Sequence, residues 1–137
     1  MTGTRGGPAF LAIAIGIGLV ALGLWAMVGP ESFFEQLALF EPYNQHFLQD
    51  IGAFQIGLGA TLLLAGLVPR LTALTVALVG VGVGAAMHAL SHIIGIDLGG
   101  KPATDIPLFS LVAVALLWAG AVTWRRPVSR DVPSSAL

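Results

Sequence analysis

The chain has 137 residues, 56% of them hydrophobic and only 9% charged, against roughly 25% charged in an ordinary soluble domain. Its mean hydropathy is +0.91, so most of the chain has no surface to offer water, and a net charge of -1 gives no reason to expect a nucleic-acid partner. Cysteine is absent, which excludes disulfides, thiolate metal sites, iron–sulfur clusters and covalently attached haem.

Four apolar segments follow in order. The first, at about residues 8–28, carries no charge and is long enough to cross a bilayer, for which roughly 20 apolar residues suffice. Pro8 suits the start of a helix, and Gly29 and Pro30 stop it. The run exceeds the roughly 7–15 residues of a signal-peptide core, and no small-residue cleavage site follows, so the segment reads as a retained span.

Residues 31–43 are too short and polar to span. Ser32 and Glu35 have capping-box spacing, and Phe33, Leu37 and Phe40 fall on one helical stripe. The expectation is a short amphipathic helix in the membrane interface.

The second span covers about residues 45–67, with Asn44 as N-cap. Pro69 turns the chain into a third span at 71–94, ended by Gly95. A loop containing Gly99, Gly100, Lys101 and Pro102 follows. The fourth span runs over about 106–124, capped by Thr104 or Asp105. Residues 1–126 therefore read as one all-α, four-helix transmembrane domain, and 127–137 as a disordered polar tail.

Charge sets the expected orientation. Arg5, Arg70, Arg125, Arg126 and Arg130 fall on the side of the termini, and only Lys101 lies opposite. Glu31, Glu35, Glu41, Asp50, Asp97 and Asp105 gather at the other end. The positive-inside bias then puts both termini and the Pro69 turn in the cytoplasm, as in a multi-pass plasma-membrane protein. Trp25, Trp118 and Trp124 sit near span ends, as interface anchors do.

The unusual residues are His46 and Asp50 on the second span and His88 and His92 on the third. Each pair has the four-residue spacing of one helical face. His46 and His92 are equally far in sequence from Pro69, and so are Asp50 and His88. If the two spans pack as a hairpin, three imidazoles and a carboxylate meet near the outer face. The small residues Ala53 and Gly57 on one span, and Gly80 and Gly84 on the other, would let the backbones approach. Asp50 and His88 then lie about 8–10 Å below the interface. An ionised aspartate costs roughly 2.5–3.5 kcal/mol at a helix centre and less near the ends, so partners or water are required.

Four readings of this cluster stay open. It could be a structural hydrogen-bond network, completed by Gln55, Ser91 and Asn44, that locks the hairpin. It could be a metal site for Zn, Cu or Fe, whose ligand sets include three histidines and an aspartate. His46, His88 and His92 could serve haem b or a quinone. The histidines could relay protons or sense pH. No serine, histidine and acid arrangement suggests a hydrolase. The Gly80–Gly84 run lies inside a span and is no nucleotide loop. The reading is a structural or accessory subunit, not an enzyme acting alone, in contact with the lipid bilayer and assembled as a homo-oligomer or within a larger membrane complex.

The pattern Asn44-x-His46-x3-Asp50-x-Gly52-Ala53-Phe54-x2-Gly57 opening the second span, with His88-x3-His92 closing the third, resembles small bacterial membrane proteins of the DoxX-like type. The resemblance implies a four-span bundle. DoxX itself is linked to quinone-coupled thiosulfate oxidation. The charged positions expected in its first span are missing here, so that activity is not carried over.

Overall fold

The computed structural model describes residues 5–125. The expected tail at 127–137, the end of the expected domain, and Arg126 and Arg130 lie outside the described residues. The described residues are mostly helical, with no strand among them. In chain order come α1 (Gly6–Val28), a short α2 (Pro30–Phe33) that widens into one π-helical turn (Phe34–Ala38), α3 (Gln45–Leu67), α4 (Leu71–Ile94) and α5 (Pro102–Trp124).

Each of the four long helices is long and apolar enough to cross a membrane. At 1.5 Å per residue, 23 residues reach about 35 Å, enough for a hydrocarbon core of about 30 Å. This is the four-helix membrane architecture that the composition predicts. Asn44 caps α3 as expected, its side chain accepting the Phe47 N–H at 3.0 Å.

Two starts differ from expectation. The fourth helix begins at Pro102, where a missing N–H costs nothing, and not near Ile106. Ser32 caps no helix, because α2 starts at Pro30. Its hydroxyl donates to the Gly29 carbonyl and accepts the Trp25 indole N–H, both at 2.9 Å. Trp25 also stands edge-on to Phe33, with ring centroids 5.4 Å apart. It is therefore folded inward, unlike the exposed Trp118 and Trp124.

The helices pair in an order the hairpin reading does not anticipate: α1 packs along α3, and α4 along α5. Glycine explains the first pairing. Gly16 and Gly23 on α1 recur at the interval of Gly52, Gly59 and Gly66 on α3, which keeps each set on one stripe. A Cβ on Gly16 would lie 2.9 Å from the Gly59 carbonyl oxygen, and one on Gly23 only 2.6 Å from that of Gly52. The two backbones are in direct contact, the packing that small residues permit in lipid. Between α4 and α5, Gly120 receives Val79 and Gly82 receives Leu117.

Both pairs share a core of Ala12, Leu62, Leu74, Leu78 and Leu116, all fully buried. A second core, Ala26, Phe33 and Leu48, lies where α2 folds over α1 and α3. The pairs are also tied beyond that core. The Gly100 N–H donates to the Leu39 carbonyl, and Lys101 Nζ to the Gln36 carbonyl, each at 3.0 Å. Gly99 and Gly100 hold φ of +114° and +81°, a region that suits glycine. A Cβ on Gly99 would meet the Leu39 oxygen at 2.9 Å.

By contrast α3 and α4 touch little. The faces expected to close on each other do not: Gly57, Gly80 and Gly84 have nothing near them, and Ala53 is exposed. A groove of about 830 Å³ separates the two helices beside the Pro69 turn.

Candidate functional site: a histidine pair facing α5

The pairing of helices splits the expected four-residue cluster in two. On α3, His46 and Asp50 point away from α1. Their side chains are 89% and 56% exposed, and His46 Nε2 stands 3.6 Å from Asp50 Oδ2, beyond hydrogen-bond reach. Gln49 on the same turn faces inward and donates to the Met27 carbonyl at 3.3 Å.

On α4, His88 and His92 turn toward each other and toward α5. Their Nε2 atoms are 3.2 Å apart. Phe109 packs against both rings, edge-on to His88 with centroids 4.2 Å apart and tilted against His92 at 5.0 Å, while His88 stays exposed. Asp105 Oδ2 lies 3.9 Å from His92 Nδ1, and these two side chains are the less exposed, at 16% and 27%.

Asp105 is held by its own helix start. Its Oδ2 accepts the Lys101 N–H at 2.7 Å, which satisfies one of the donors a helix N-terminus leaves open. The Thr104 hydroxyl donates to the Lys101 carbonyl at 3.0 Å. A Cβ on Gly100 would come within 3.1 Å of Asp105 Oδ2, so glycine there leaves room for the carboxylate.

A neutral imidazole has one N–H and one lone pair. The Nε2–Nε2 contact therefore needs one ring to donate and the other to accept. The nearby Asp105 carboxylate favours the proton of His92 on Nδ1. His92 Nε2 then accepts, and His88 Nε2 donates. The order runs Asp105, His92, His88 across the α4–α5 interface.

The expected metal site is not assembled. Among the described residues no three His, Asp or Glu side chains are placed to hold a metal ion. The physical reason is the pairing: α3 spends its small-residue face on α1 and turns His46 and Asp50 outward. The bis-histidine haem reading needs axial histidines on facing helices; His88 and His92 share α4 with their Nε2 atoms 3.2 Å apart, and His46 lies exposed on α3. Gln55, expected in the network, has its Oε1 buried without a hydrogen bond among the described residues. Ser91 donates to the His88 carbonyl at 2.7 Å and Asn44 caps α3, so neither completes the cluster.

Sequence reasoning missed Asp105 as a partner, and Phe109 altogether. The signal was present. His92 and Asp105 lie equally far from the junction of Leu98 and Gly99, as do His88 and Phe109. Counting outward from that loop pairs the right residues. Counting from Pro69 pairs residues whose helices stand apart. No family model, curated protein or solved structure matches this chain.

Proposed function

We propose that the protein is a structural or accessory module of the membrane, with the His88, His92, Asp105 and Phe109 cluster serving as a clasp between α4 and α5. The observation that carries this reading is the direction of the contacts. The two imidazoles face each other, Phe109 packs against both, and Asp105 is tied to its own helix start. Across the interface the rings of His88 and His92 pack against Phe109, and Asp105 Oδ2 stands 3.9 Å from His92 Nδ1, the kind of contact polar residues make between membrane helices.

The sorting of charge supports a plasma-membrane topology with both termini in the cytoplasm. The sequence pattern around Asn44 and His88 supports a DoxX-like bacterial type. The exposed apolar side chains supply lipid contact, and a larger complex or homo-oligomer is the setting in which such a module serves.

The clasp is tested with His92→Ala. Interhelical polar contacts in lipid contribute about 0.6 kcal/mol on average and up to about 1.7, so thermal unfolding in detergent should show a loss of about 1 kcal/mol. The variant should keep its partners and helical content. Stoichiometric metal or a visible chromophore in the purified wild type, absent from His92→Ala, would overturn the reading. Orientation is tested by single cysteines, since the chain has none of its own. A cysteine at Lys101 should be labelled from outside intact cells and one at Thr72 should not; the reverse pattern would invert the topology.

A further inference from the structure

The groove between α3 and α4 is an open feature that the clasp does not use. It runs from Leu58 and Gly80 near mid-helix to Val68 and Arg70 at the turn, with Leu64 and Val76 among its apolar walls. Arg70 is exposed and its guanidinium has no acidic partner among the described residues. Nearby, Arg5 caps the end of α3, donating to the carbonyls of Ala65, Gly66 and Val68. Positive charge thus stands at the mouth of an apolar channel.

We propose that this groove holds one acyl chain of an anionic phospholipid, with Arg70 facing the net negative charge of its headgroup. Length supports a lipid over a second copy of the chain. From Leu58 to Val68 the groove is about 15 Å long, half of a hydrocarbon core of about 30 Å. That is one leaflet. A helix from a second copy would run the full depth of the bilayer.

Selectivity belongs to the headgroup. Lipid tails are as apolar as the groove walls, so an acyl chain gains packing there but little hydrophobic free energy. A basic side chain at an anionic surface contributes enough to favour an anionic headgroup roughly fivefold. Phosphatidylglycerol should therefore be preferred over phosphatidylcholine, and Arg70 should set the preference.

The test is native mass spectrometry of the delipidated full chain in detergent, titrated with either lipid. The wild type should take up one phosphatidylglycerol about fivefold more readily than phosphatidylcholine. Arg70→Gln should remove the preference while leaving weak binding of both. Gly80→Leu, which puts a side chain into the groove from a position with open space around it, should lose the bound lipid. Equal uptake of both lipids by the wild type, or an undiminished preference in Arg70→Gln, would overturn the proposal. So would a wild-type dimer that Gly80→Leu converts to monomer. If Gly80→Leu does not fold, Arg70→Gln decides alone, because the Arg70 side chain is exposed.

Discussion

At the scale of single residues, the most consequential side chain is Asp105. It lies in the first turns of α5, accepts the Lys101 N–H, and stands beside His92. Removing it frees a backbone donor and leaves the His92 tautomer undirected. Asp105→Ala should destabilise the protein by about 1 kcal/mol, the usual cost of losing a helix-start acceptor; Asp105→Asn, which keeps an acceptor for Lys101, should cost less. Thermal unfolding of both variants in one detergent checks the order. Asn44 plays the same part at α3, where its side chain meets the Phe47 N–H, and Asn44→Ala should also cost about 1 kcal/mol. The two starts were not equally readable. Asn44 immediately precedes the second span, and asparagine at such a start is the ordinary signature of an N-cap. Asp105 acts from inside the helix, and its effect depends on α4 lying alongside.

At the scale of elements, the fold rests on two helix pairs with different contact chemistry. In α1 and α3 backbone meets backbone at Gly16, Gly23, Gly52 and Gly59. A side chain at any of these must push the helices apart. Gly23→Val or Gly52→Val should cost about 1–3 kcal/mol, as overpacking does, and should lower the unfolding temperature. The control is Gly57→Ala. Nothing lies near its Cβ position, and alanine is the better helix former by about 1 kcal/mol in water, so stability should hold or rise. Equal losses at Gly52 and Gly57 would remove glycine contact as the cause of pairing. The repeat of Gly16 and Gly23 against Gly52, Gly59 and Gly66 was visible in the chain. What hid its meaning was the abundance of other glycines: Gly57, Gly80 and Gly84 have the same small-residue character and touch nothing.

At the scale of the whole molecule, the pairs meet in one core near the arginine-bearing end and are bridged elsewhere by loop contacts, leaving the α3–α4 groove open between them. The sequence by itself determined the number of long helices, their approximate ends and the sorting of charge. These follow from local composition: a backbone in lipid must bond to itself, so any apolar run of sufficient length becomes a helix whatever its neighbours do. Only the tertiary structure decided which helix lies against which, and so whether His88 and His92 face Asp50 or Asp105. In lipid every apolar face is equally well solvated, and association depends on how closely two surfaces fit. Fit is a property of two helices together, which is why four residues at matching depths in the chain ended in two separate places.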